Sequence, residues 1–195
     1  MNNMTIRLAK GDTINLNNTA AALSTIQCGL GWDIAKKPGI QYDLDVSVLL
    51  LNDDGNLAKD ENFVFYSNPA DPSGSVMYSG DNRTGEGDGY DESCTIKLGA
   101  VPRDVQSIVV VVSIDQYKER NQNFGQIINA KCDVLNADTN KKLISYDLTE
   151  DMSTGTGVVV CQFEREGGSW RFVALGSSVK GGLPEILKRY GVQFE

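Results

Sequence analysis

Apolar residues along this chain recur with a period of two, or gather in short β-branched runs bounded by Gly, Asn and Asp. Both patterns favour strands over helices. Residues 44–51 show it most clearly. Leu44, Val46, Val48 and Leu50 share one face of an extended segment, while Asp45, Ser47, Leu49 and Leu51 share the other. One face is therefore apolar throughout and the second only toward its end. Asn52-Asp53-Asp54-Gly55 follows with turn chemistry, its Asp-Gly step suited to the positive φ of a tight hairpin. Residues 107–114, Ser-Ile-Val-Val-Val-Val-Ser-Ile, are apolar on both pleat faces and predict a central strand covered from both sides. Further strands are expected at 5–8, 63–66, 95–98, 127–135, 143–147, 157–165 and 170–176, with polar connections at 137–140 and 166–168 joining antiparallel neighbours.

One helix stands out at residues 183–190, with Pro184 near its first position, Lys188 and Arg189 in its last turn and Gly191 just past its end. A single terminal helix does not build a βαβ fold. The expected architecture is all-β: an antiparallel β-sandwich with a short C-terminal helix, one domain over residues 1–195 with no solenoid repeat or shift of composition to divide it.

Charge narrows the partners. The chain carries 18 Lys+Arg against 26 Asp+Glu, a formal net charge of −8. Nucleic acid and anionic membranes select positive surfaces, so neither is expected as a direct partner, and cations are favoured. The chain has no histidine, which excludes Ser–His and Cys–His catalytic pairs and imidazole metal sites. Cys28, Cys94, Cys132 and Cys161 lie far apart without a C-x-x-C motif and are read as buried reduced thiols. Residues 1–11 carry no apolar leader, and the longest apolar run, 108–112, is far too short to span a bilayer. The expectation is a soluble protein of a reducing cytoplasm.

The candidate chemistry lies in residues 80–92, Gly-Asp-Asn-Arg-Thr-Gly-Glu-Gly-Asp-Gly-Tyr-Asp-Glu. Asp81, Glu86, Asp88, Asp91 and Glu92 crowd together there, with Asn82 and Thr84 as further oxygen donors and Arg83 as the sole cation. Carboxylates so close repel unless a cation compensates them. Glycines at 80, 85, 87 and 89 let the backbone turn sharply and aim carbonyl oxygens at a hard ion. Asp81 and Glu92 have the spacing of the first and twelfth positions of an EF-hand. Arg83 and Glu86 nevertheless occupy its third and sixth positions, and strands flank the loop where helices belong. A phosphate-binding glycine loop fails as well, because G-x-x-x-x-G-K-[ST] is missing. A second acidic group comprises Gly31-Trp32-Asp33 and Tyr42-Asp43-Leu44-Asp45, where Asp43 and Asp45 project from one face of an extended segment. Asp53, Asp54, Asp115 and Asp138 read as turn and strand-end carboxylates outside the site.

These residues resemble the TerD family of tellurite-resistance and general stress proteins. The resemblance spans essentially the whole chain: Leu-Ala-Lys-Gly at 8–11, Gly-Trp-Asp at 31–33, Asp-Leu-Asp at 43–45, Phe-Val-Phe-Tyr at 63–66, the acidic loop at 80–92, Phe-Gly-Gln-Ile-Ile-Asn-Ala at 124–130 and Phe-Val-Ala-Leu-Gly at 172–176. It implies a β-sandwich that binds calcium, two ions side by side near the sandwich end. The side-chain ligands it implies are Asp33, Asp43, Asp45, Asp81, Asn82, Asp91 and Glu92, with carbonyls from Gly85 and Gly87. The chain departs from the family loop at Tyr90, where an acid is usual.

Two functions remain in view. In the first, the chain is a non-enzymatic calcium-binding module of a bacterial stress or tellurite-resistance system, its ions ordering an acidic surface for protein partners yet to be identified. A membrane would be reached only through such a partner. In the second it is a phosphoester hydrolase using two metals. The sequence offers no nucleophile elbow and no lysine-containing phosphate loop, which favours the first. A scaffold whose acidic loop binds no metal is a third possibility.

Overall fold

The structure is a computed structural model that describes residues 10–15, 24–36, 39–87 and 89–193. Among them are eleven strands and three short α-helices. The strands are β1 (Thr13–Asn15), β2 (Thr25–Asp33), β3 (Leu44–Leu51), β4 (Phe63–Val64), β5 (Val76–Tyr78), β6 (Glu92–Lys97), β7 (Ser107–Ile114), β8 (Ile128–Asn136), β9 (Lys141–Asp147), β10 (Gly157–Glu166) and β11 (Ser169–Val179). The helices are α1 (Tyr117–Arg120), α2 (Leu148–Asp151) and α3 (Gly182–Arg189). Two sheets form, in the orders β1-β11-β10-β7-β3-β4 and β5-β6-β2-β8-β9, and every pairing is antiparallel.

The alternation along β3 decides the layers. Leu44, Val46, Val48 and Leu50 enter the main core with Ile108, Val110, Val112 and Ile114 of β7, against Ile26, Cys28, Leu30 and Trp32 of β2. On the outer face of the six-stranded sheet, Leu49, Leu51, Val109, Val111, Val159 and Val179 pack beneath Ile186 and Leu187 of α3. That second cover explains why β7 is apolar on both faces. All eight residues of β3 are buried, Asp45 and Ser47 included.

The turns at 137–140 and 167–168 join β8 to β9 and β10 to β11 as expected, and Gly191 follows α3 with φ +83°. The expected strand at 63–66 shortens to two residues. Phe65 and Asn68 exchange both backbone hydrogen bonds there at 3.0 Å, so the chain turns back. The expected strand at 95–98 starts earlier, at Glu92, because the β2 ladder continues to the pair Leu30 and Glu92. The expected strand at 5–8 lies outside the described residues. β1, β2 and β5 were not expected. In β2 the glycines at 29 and 31 mask a regular alternation of Ile26, Cys28, Leu30 and Trp32. All four cysteines are free and buried.

This topology gathers acids at one end of the sandwich. β3 begins where antiparallel β7 finishes, with Leu44 opposite Ile114 and Asp45 opposite Ser113. The Asp115 amide donates to the Asp43 carbonyl at 2.8 Å. The connection between β5 and β6, which belongs to the other sheet, carries the acidic loop to the same end.

Candidate metal centre

Oxygens of Asp43, Asp45 and Asp81 all lie within 4.8 Å of one another. Asp43 and Asp45 are 4% and 7% exposed, whereas Asp81 faces solvent. A cavity of about 220 Å³ is lined by these three carboxylates with Tyr66, Arg83, Asp115 and Gln116. Burial, then the charges of Asp43, Asp115 and Asp81, lift Asp45 to about 7. Burial and Asp115 also raise Asp43, against the opposing pull of Arg120 and Arg83. Asp115 is the residue that sequence reasoning missed. It reads as a strand-end acid until β3 and β7 are paired, and only that register places it beside Asp43.

Glu92 holds a different position. Its Oε2 accepts from the Val46 amide at 2.9 Å and its Oε1 from the Asn82 amide at 3.4 Å. β4 pairs with Val48 and Leu49 and ends there, so this carboxylate satisfies the next amide along the buried edge of β3 that β4 leaves uncovered. Burial pushes Glu92 up to about 8.

Of the remaining expected residues, Asp33, Gly85, Gly87 and Asp91 line a second cavity of about 550 Å³ together with Trp32. Asp91 Oδ2 accepts from the Trp32 amide at 2.8 Å, and its Oδ1 accepts from Asn82 Nδ2 at 2.9 Å. Burial raises Asp91; the Trp32 amide opposes that and the charge of Asp33 adds to it. Asp33 Oδ2 accepts from Asn129 Nδ2 at 2.7 Å. Asn82 Oδ1 accepts from the amides of Thr84 and Gly85 at 3.1 and 3.0 Å, so Asn82 organises the loop between the two cavities. Gly85 has φ +74°, and a Cβ there would stand 2.7 Å from Trp32 Nε1, so only glycine fits. Tyr90 is committed to the five-stranded sheet: its hydroxyl donates to Asp133 Oδ2 at 2.8 Å and its ring covers Gly29.

The nine expected residues thus divide. Asp43, Asp45 and Asp81 form one compact carboxylate group, Asp33, Asp91, Gly85 and Gly87 line the second cavity, and Asn82 and Glu92 stand between them on backbone hydrogen bonds. The donor set is oxygen alone, because the cysteines are buried in the core and histidine is missing from the sequence. Such a set fits a hard divalent cation and not a soft or imidazole-seeking one.

A family model described as the TerD domain matches residues 4–190. The chain belongs to the TerD family. Two TerD-family relatives indicate the company it keeps. It is 43% identical over 189 residues to tellurium resistance protein TerD of Alcaligenes sp, covering 97% of this chain and 98% of that one. It is 44% identical over 191 residues to general stress protein 16U of Bacillus subtilis (strain 168), covering 97% and 99%. The solved structure of a homologue of telluride resistance protein (TerD) from Streptomyces coelicolor A3(2) has a TM-score of 0.75 over 85% of this chain and 95% of its own, at 20% identity, and bears on the fold alone. These TerD-family relatives are named for resistance or stress and not for a reaction. Among the described residues, no helix is long and apolar enough to cross a membrane.

Proposed function

We propose that the chain is a non-enzymatic, calcium-binding interaction module of a tellurium-resistance or stress response. The observation that carries this reading is the approach of Asp43, Asp45 and Asp81 to within 4.8 Å, two of them buried. Each pair of charges at about 4 Å repels by about 1 kcal/mol in water and several times that near a protein surface, a cost a bound divalent ion relieves. Calcium suits the site better than magnesium, because a loop rich in oxygen donors meets calcium's need for many ligands while magnesium demands tight octahedral geometry.

Asp43, Asp45 and Asp81 would hold one ion. Asp33 and Asp91, with carbonyls of Gly85 and Gly87, would hold a second. When bound, the ions supply positive charge that fixes the loop and offers an oxygen-accepting position to a partner. The chain's own part is to hold the loop against both sheets through Asn82 and Glu92 and to keep Asp43 and Asp45 out of solvent. The lack of histidine and the burial of every cysteine favour binding over catalysis.

Calorimetric titration of chelator-treated protein tests the reading. Calcium should bind, Asp81→Asn and Asp43→Asn should each weaken it, and magnesium should bind less tightly. A pull-down with calcium and with chelator should recover a calcium-dependent protein partner. Phosphoesterase turnover with calcium, magnesium or manganese that Asp81→Asn abolishes, without any such partner, would instead support the two-metal hydrolase.

A further inference from the structure

Two guanidinium groups converge on one oxygen of the buried carboxylate. Arg83 Nε lies 3.7 Å from Asp43 Oδ2, and Arg120 Nη1 lies 3.6 Å from the same atom. They are held very differently. Arg120 belongs to α1, has a side chain 21% exposed and reaches on to Asp115 Oδ2 at 3.5 Å. Arg83 belongs to the acidic loop itself, has a side chain 66% exposed and reaches the cluster at Asp43. Neither contact to Asp43 has the short, directed geometry of a charge-assisted hydrogen bond. Arg83 also lines the small cavity shared by Asp43, Asp45 and Asp81. With all four ionised, the acids of that cavity outnumber the two arginines beside it by two charges, the charge of one divalent ion.

Resting on the calcium reading above, we propose that Arg83 is a built-in placeholder for the cation. Its guanidinium screens Asp43 in the metal-free chain and gives way when a divalent ion enters between Asp43 and Asp81, while Arg120 stays as the fixed counter-ion. The loop that supplies Asp81 therefore also supplies the competitor for its ion, and Arg83 sets how much calcium is needed. A loosely held, solvent-facing guanidinium is suited to that exchange, because little geometry has to be broken to release it.

The test is calcium titration of the intact chain as wild type, Arg83→Gln, Arg103→Gln and Asp43→Asn, with the double variant Asp43→Asn/Arg83→Gln. Removing a positive charge a few ångströms from a divalent ion should tighten calcium binding about three- to tenfold at low salt, with the gain shrinking as salt rises. In chelator, Arg83→Gln should melt below wild type. Arg103 lies before β7, at the opposite end of that strand from Asp115, so Arg103→Gln removes the same charge without these effects. In the Asp43→Asn background, where Arg83 has lost the carboxylate that holds it, the Arg83 effect should shrink. A wild type that binds calcium while Arg83→Gln binds it equally tightly, or a matching gain in Arg103→Gln, overturns the placeholder alone. A wild type that takes up no calcium overturns the metal reading beneath it.

Discussion

Asp45 and Glu92 are acids whose protonation favours the fold. Asp45 is raised to about 7 and Glu92 to about 8, in both cases chiefly by burial, against about 4 for an unfolded carboxyl group. The metal-free folded chain therefore retains protons that the unfolded chain has released, and these two groups cost stability as pH rises from about 4 toward 8. Glu92→Gln removes one of these titrations. The variant's urea midpoint in chelator should gain on that of wild type as pH rises across that window; a difference independent of pH would show that Glu92 is ionised in the folded chain. Gly29 is a second single-residue test. A Cβ there would lie 2.5 Å from the Tyr90 ring, so Gly29→Ala should cost about 1–3 kcal/mol by overpacking, and Gly29→Ala/Tyr90→Ala should recover part of it in denaturant melts. At this scale the sequence displayed the acids well, since Asp43 and Asp45 on one face and the crowding at 80–92 are local facts. Asp115 was hidden, because its role depends on a partner strand some 70 residues away.

β2 was illegible for the reason that makes it useful. Gly29 and Gly31 weaken a strand on paper, yet they are the positions where the acidic loop lies down on the sheet: Tyr90 covers Gly29, and the Gly89 carbonyl and Asp91 carboxylate stand within 3.6 Å of a Cβ placed at Gly31. The alternation of Ile26, Cys28, Leu30 and Trp32 was the available signal. α3 was readable from Pro184, its terminal cations and Gly191, because capping is local chemistry, although the face it covers was not. Its Ile186 is fully buried against the outer side of the six-stranded sheet, so Ile186→Ala should cost about 2–5 kcal/mol by leaving a cavity. Chemical denaturation measures this directly. A cost below about 1 kcal/mol would mean that α3 is dispensable to the sheet.

Over the whole molecule, period-two patterning was enough to give two antiparallel layers, since each strand must bury a face. Strand order lay beyond it, because parity tells which side chains share a face and not which strands adjoin. That order decides the consequence of the acidic loop's position. The loop hangs from β5 and β6 of one sheet, whereas Asp43 and Asp45 begin β3 of the other. On the calcium reading, an ion shared by Asp81 and that pair would be a rivet through the mouth of the sandwich. At one hundred times its dissociation constant it would contribute about 2.7 kcal/mol to equilibrium stability, and wild type should melt higher in calcium than in chelator. The kinetics should be lopsided. Docking of a loop between two formed layers comes late in folding, so the ion should slow unfolding and leave the refolding rate nearly unchanged in stopped-flow chevrons. A chain chelated in place would then persist for a time set by how fast its two sheets part, and calcium would act as a timer on the lifetime of the folded state.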